Sequence, residues 1–138
     1  MFKRLFIVLM LLSISQTVHA GDIDKTVDAF CSTLVGKDII SIHTRPIIEP
    51  FFISEKDLSN FIVYLNIRMQ KDGFKRFTVL GCKVKKIENN GLNADAELEI
   101  AGEGPIFFLK RHLLISTLWL NKDGKWYIEA PSTINDEQ

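Results

Sequence analysis

Net charge is the first thing this sequence lacks. Its 138 residues carry 17 Lys and Arg against 17 Asp and Glu, so no strong field of either sign draws it to nucleic acid or to an anionic membrane. Cysteine is scarce: two residues, with no CxxC spacing, which excludes a thioredoxin-type redox motif and the paired knuckles of a zinc ribbon. The three histidines are scattered, and no cluster of His, Cys, Asp and Glu has metal-ligand spacing. No metal and no cofactor is therefore expected. A Gly-rich phosphate loop and a Ser-His-Asp arrangement at recognisable spacing are missing too, so no catalytic residue can be named from a motif. There is no internal repeat and no low-complexity tract. The apolar run Leu5–Leu12 falls well short of the about 20 residues that cross a bilayer, so stable membrane insertion is not expected.

That short run has another meaning. Lys3 and Arg4 precede it, and Val18-His19-Ala20 follows with permissive residues at the −3 and −1 positions of a cleavage site. This is the pattern of a secretory signal peptide covering 1–20. No cysteine stands at the cleavage point, against a lipoprotein. The expected mature protein begins at Gly21 and is periplasmic or secreted, after cleavage following Ala20. Loss of the leader removes two basic residues and no acidic one, leaving 15 against 17 and a net charge of −2. The remaining length suits one domain, 21–131, with a frayed tail over 132–138.

In an oxidising compartment Cys31 and Cys82 read as one structural disulfide, closing a loop of about 50 residues worth roughly 4 kcal/mol in the chain-entropy model. The alternative is a pair of separately buried thiols acting as small hydrophobes.

Periodicity divides the domain in two. From Asp22 to Val35, Ile23, Val27, Phe30 and Leu34 recur at three- and four-residue steps, and Gly36 is a C-terminal stop. A short helix is predicted from Asp38 as N-cap to about Thr44, ended by Arg45-Pro46, followed by an apolar connector, Pro46–Phe52. The next helix is signalled by the capping pattern Ser54–Asp57, then by Leu58, Phe61, Ile62, Leu65 and Met69 on one face, and closes at Asp72-Gly73. Past Gly73 the period drops to two. Phe77 and Val79 share one parity and Cys82 and Val84 the other, which predicts a bulge at Gly81 in a long strand. Leu92, Ala94, Ala96, Leu98 and Ile100 alternate inward against Asn93, Asp95, Glu97 and Glu99 outward, the mark of an antiparallel sheet with one wet face. Lys83, Lys85 and Lys86 suit cross-strand pairing with those acids. Finally Ile106–Ala130 reads as a hairpin turning at Asp123-Gly124. Its first strand is apolar at both parities, with Leu113, Ile115 and Trp119 on one and Leu114, Leu118 and Leu120 on the other. A one-sided sheet needs only one, so either a bulge intervenes or a partner covers the second face. The fold class is α+β: three N-terminal helices packed on an antiparallel sheet of about four long strands.

The connector ending in Pro50-Phe51-Phe52 and the closing LWLNKDGKWYI, Leu118 to Ile128, together with this order of elements, resemble the nuclear transport factor 2-like superfamily. The resemblance spans most of 22–130 and implies a strongly curved, cone-shaped sheet, a cystatin-like roll, whose mouth is a ligand cavity. The superfamily includes dehydratases, isomerases, polyketide cyclases, ligand-binding proteins and scaffold domains of secretion machines, so the resemblance does not choose an activity.

Five residues are candidates for the lining of such a cavity: Tyr64, Arg68, His112, Trp119 and Trp126. Tyr64 and Arg68 stand four apart on one helical face. There they either donate a hydrogen bond and hold an anionic head group, or flank the core stripe and snorkel. His112 faces either the cavity or, beside Lys110 and Arg111, the solvent. His43, near a helix end, suits the helix dipole better than catalysis. Trp126 and Ile128 face in, which turns Tyr127 and Glu129 out. Three functions follow. The first is an exported non-catalytic binding or interaction domain, holding a small apolar or amphipathic ligand in the cone or forming a homodimer through the sheet face. The second is a small isomerase, dehydratase or cyclase using a cavity His or Tyr. The third is an accessory or scaffold component of a cell-envelope complex, whose partner is an envelope protein.

Overall fold

The computed structural model describes residues 23–106 and 109–130; the expected leader over 1–20, Gly21, Asp22 and the tail from Pro131 lie outside the described residues. Helix α1 covers residues 23–34 and buries Ile23, Val27, Phe30, Cys31 and Leu34, the face its periodicity marks. A short α2, Arg45–Ile48, runs into a 3-10 turn, Glu49–Phe51. Helix α3, Glu55–Lys71, is capped by Ser54, whose Oγ accepts from the Asp57 amide. The Asp57 carboxylate accepts from the Ser54 hydroxyl at 2.9 Å, so the N-cap half of the expected capping box forms and Asp57 holds the hydroxyl instead of the Ser54 amide. Leu58, Phe61, Ile62, Leu65 and Met69 are all buried.

Four antiparallel strands follow in sequence order: β1 (Gly81–Asn89), β2 (Asn93–Glu103), β3 (Lys110–Lys122) and β4 (Lys125–Glu129). The architecture is therefore α+β, helices first and then a four-stranded antiparallel sheet. Asp123 and Gly124 both take positive φ, 55° and 85°, which matches the twist of the flanking strands and closes the β3–β4 hairpin in two residues. One face of the sheet packs on the helices through Ala94, Ala96, Leu98 and Ile100 of β2, Leu113, Ile115 and Trp119 of β3, and Trp126 and Ile128 of β4. The other face is wet and carries one of the expected cross-strand pairs, Lys85–Glu99 at 3.5 Å. Within β1, Lys86 also donates to Glu88 at 2.8 Å; that hydrogen bond, reinforced by Coulomb attraction, raises the Lys86 pKa and lowers that of Glu88.

Cys31 on α1 and Cys82 on β1 are disulfide-bonded, with Cα atoms 5.3 Å apart and a sequence separation of 51. The bond ties the first helix to the edge strand of the sheet. Gly102 serves packing: a Cβ there would stand 2.4 Å from the Phe74 ring, and Phe74 is buried.

Three local expectations are corrected. No helix runs from Asp38 to Thr44. Asp38 instead bridges to Thr78, its carboxylate accepts from the Ile40 amide at 3.0 Å, and its carbonyl accepts from the Thr44 hydroxyl. The same short acid that caps helices has stabilised a turn here. Helix α2 begins after it, with Pro46 inside its first turn, where a missing N–H costs nothing. Nor does the bulge sit at Gly81. Val79 exchanges hydrogen bonds with Gly36 and Lys37, and β1 starts only at Gly81, so the parity change there reflects a change of partner. The register shift lies between Val84 and Lys86, which returns Ile87 to the packed face opposite Ala96. Leu92 is 73% exposed, because it lies in the β1–β2 turn, outside the alternating strand.

Reducing the Cys31–Cys82 bond should lower stability by roughly 3–4 kcal/mol, mainly by freeing the unfolded chain. Urea denaturation with and without reductant measures this. A loss below about 1 kcal/mol would show that the bond constrains little in the unfolded state.

Candidate functional site

β3 is 13 residues long, but β4 pairs only with its last part, Leu118 to Lys122. Where β4 ends, the sheet steps back and leaves a cleft of about 290 Å³ lined by Phe61, Tyr64, Asp95, Ser116, Thr117, Leu118, Ile128 and Glu129. Its helical wall comes from α3 and its floor from β2, β3 and β4. Hollows elsewhere lie at the tip of the β3–β4 hairpin, among Ile53, Lys122 and Tyr127, and along the polar outer face of β1 and β2. The α3 cleft differs in joining an apolar wall to hydroxyl and carboxylate groups.

Tyr64 and Arg68 meet beside this cleft. Tyr64 is 5% exposed, and its hydroxyl accepts from Arg68 Nη1 at 2.9 Å. The guanidinium lies 5.8 Å from the Tyr64 ring centroid, and its Nη2 donates to the Leu114 carbonyl at 3.1 Å. One arginine thus spans from α3 to the exposed edge of β3. The other three candidates stand apart from this pair. His112 is on the wet face, its Nδ1 3.0 Å from Glu99. Trp119 is fully buried and donates through Nε1 to Thr117 Oγ1 at 2.9 Å. Trp126 is buried with its indole N–H unpartnered among the described residues. His43 is exposed in the turn before α2.

Thr117 is the residue that sequence reasoning passed over. It occupies the packed face between Ile115 and Trp119, 3% exposed. Its hydroxyl donates to the Ala96 carbonyl at 2.9 Å while accepting from Trp119. The chain indole to hydroxyl to carbonyl satisfies three buried polar groups at once. The available signal was a lone hydroxyl at the inward parity of an otherwise apolar strand. Ser116, its neighbour on the wet face, donates to Asp95 at 2.8 Å. Asp95 and Glu129 thus provide acceptors in the cleft lining and Tyr64 and Phe61 an apolar wall, with the Arg68 cation bonded to the Tyr64 hydroxyl beside it. The arrangement can hold an amphipathic group by one face and hydrogen-bond it by the other.

No metal-binding group of three or more His, Cys, Asp and Glu occurs among the described residues. None of the described helices is long and apolar enough to cross a membrane. Comparison with protein-family models and with curated protein sequences finds no match to this chain.

Replacing Thr117 by Val keeps the shape but strands the Trp119 indole N–H in an apolar site. Stability should fall by about 1–3 kcal/mol, the cost of an unmade buried hydrogen bond. A urea midpoint that does not move would mean the indole finds another acceptor.

Proposed function

We propose that this chain is an exported, non-catalytic binding or interaction domain of the nuclear transport factor 2-like type, working through its sheet. One observation carries the reading. Leu114 and Leu118 are 50% and 51% exposed on the outer face of β3, although β3 pairs with β2 from Lys110 to Leu120 without a register shift. A bulge does not account for the second apolar parity, so a partner that covers it does. Pairing of two copies through this face is the form the reading takes first. The order of elements, helices followed by an antiparallel meander that closes in a two-residue hairpin, supports the family assignment. The disulfide suits an oxidising compartment, in keeping with the export signal.

A second reading shares the same residues. Leu118 also lines the α3 cleft, whose volume lies just below that of typical small-molecule sites, and a small amphipathic ligand would lie against Phe61, Tyr64 and Ile128. The enzyme alternative is weaker, because His112 pairs with Glu99 on the wet face and the Tyr64 hydroxyl is engaged by Arg68.

Light scattering at high micromolar concentration, joined to native mass spectrometry of protein from its host's periplasm, tests both readings. A dimer that Leu114→Asp with Leu118→Asp converts to monomer, at unchanged urea midpoint, supports pairing through the sheet face. A retained small molecule that the same variant loses supports the cleft. A clean monomer with nothing bound overturns the proposal.

A further inference from the structure

We propose that the open edge of β3, from Lys110 to Thr117, receives an extended acidic peptide segment of another protein as an added strand, with Arg68 and Arg111 as anchors for its carboxylates. The inference rests on the reading of the sheet as a contact surface and names its occupant.

Backbone direction can be read along β3. The Asn121 amide donates to Leu92 at the β1–β2 turn, so odd-numbered residues turn their peptide groups toward β2. The Leu114 carbonyl takes Arg68 on the opposite side, so even-numbered residues face away from β2. From Leu118 onward those groups meet β4. At His112, Leu114 and Ser116 no described strand stands opposite. Among the described residues, three N–H donors and three carbonyls here therefore lack a backbone partner, and of these only the Leu114 carbonyl has a side-chain partner. That carbonyl retains a second lone pair for a guest amide.

The sheet treats its other long edge differently. β1 is edged by Lys83, Lys85 and Lys86 and broken by a bulge after Val84, the devices by which proteins block further pairing. The outer edge of β4 is met by Phe52, which bridges to Ile128. The vacant part of β3 has neither bulge nor proline, and its wet-face side chains are His112, Leu114 and Ser116. An unguarded edge inside a guarded sheet is a strand-addition site.

Charge selects the guest. The carboxylates Glu88, Glu99 and Glu103 are engaged by Lys75, Arg76, Lys85, Lys86 and His112. Lys110, Arg111 and Arg68 make no ion pair among the described residues. Arg68 donates to the Tyr64 hydroxyl and the Leu114 carbonyl and lies by the Tyr64 ring, and the Arg111 guanidinium lies over Gly73 at the C-terminal end of α3. Arg68 meets this edge at Leu114 and Arg111 stands within the same stretch of β3 with its guanidinium by Gly73, so two forked donors are available to carboxylates on the helix side. On the wet face Leu114 and Leu118 offer apolar contact. A strand presents alternate residues to opposite faces, so the guest alternates acidic with apolar residues. Asp95 and Glu129, at the Leu118 end of the edge, place its carboxylates toward Lys110.

The test uses the purified protein and three fluorescent eight-residue peptides: Val alternating with Glu, Val alternating with Lys, and the Val/Glu peptide N-methylated at alternate residues. Anisotropy should show binding of the first alone, weakened by added salt. Arg68→Gln and Arg111→Gln should each weaken it about tenfold. Hydrogen exchange should slow at the amides of His112, Leu114 and Ser116. Equal binding of the N-methylated peptide would reduce the site to a patch for anions and overturn strand addition. Binding that emerges only after residues 131–138 are deleted would assign the edge to the chain itself and overturn it too, as would no binding in either form. If no peptide binds while Leu114→Asp with Leu118→Asp still changes the oligomer or the retained ligand, this inference falls and the sheet-face or cleft reading stands.

Discussion

Everything in this fold leans on one buried ring. Phe30 is 0% exposed and meets Phe51, Phe52, Phe61 and Trp119 at centroid distances of 5.2, 6.1, 5.6 and 5.8 Å, all edge-to-face. Those four rings belong to the 3-10 connector, the residue that bridges it to β4, helix α3 and strand β3. A single side chain of α1 thereby holds every later layer in mutual register. Edge-to-face contacts add about 0.5–1.5 kcal/mol each beyond area burial, and removing a buried phenyl costs about 3–5 kcal/mol. Against a total stability of about 5–15 kcal/mol for a small domain, that is a dominant share. The Cys31–Cys82 bond, one residue along α1, fastens the same helix to the far edge of the sheet. α1 is therefore held at both sides of the packed face, by rings toward β3 and β4 and by sulfur toward β1.

With the packed face committed to that cluster, contact chemistry is left to the periphery. The indole of Trp119 is spent on the core and on Thr117, that of Trp126 is buried, and neither is among the residues that line the α3 cleft. What remains accessible is where strand lengths mismatch. β3 outruns β4 by the stretch from Lys110 to Thr117, and α3 lies alongside, so Tyr64 and Arg68 reach the step. Arg68 makes the link between layers: its aliphatic stem belongs to the half-buried flank of α3, and its guanidinium closes on a strand carbonyl. A lysine would reach the same oxygen but would not hold the Tyr64 hydroxyl with a second, fixed donor. Arg68, the stretch of β3 past β4 and the half-exposed leucines lie in one place because one strand is longer than its neighbour.

Where local physics is strong, the elements could be read from residues alone. Ser54 caps α3 because its hydroxyl oxygen has the orphan Asp57 amide three residues on, and the stripe Leu58, Phe61, Ile62, Leu65 and Met69 buries because its spacing leaves no other face. Asp123-Gly124 turns because Gly takes positive φ freely and Asp tolerates it. Ala94 to Ile100 alternates because one side of the sheet is wet. The failures share a cause. Asp38 carries the same short acid that caps helices, but its backbone was claimed by a bridge to Thr78, forty residues away. The parity change near Gly81 could be a bulge or a change of partner, and only the docking of Val79 on residues 36–37 decides between them. Leu92 continues an alternation that the turn has already interrupted.

Tyr64 and Arg68 were legible as a pair because a helix places i and i+4 side by side. The cleft beside them was not, since Phe61, Thr117, Leu118 and Ile128 become its walls only after three separate segments converge. The residues by themselves marked the two longer helices, the closing hairpin, the wet and dry faces of β2 and the second apolar parity of β3, because each depends on neighbours within a few positions; they left Cys31 and Cys82 open between a bond and two buried thiols, which the folded geometry decides. Tertiary structure alone decided that this parity is open to solvent, that no bulge relieves it, and that β3 extends past β4. Strand register and relative strand length arise from contacts between residues far apart in the chain, and no local propensity encodes them.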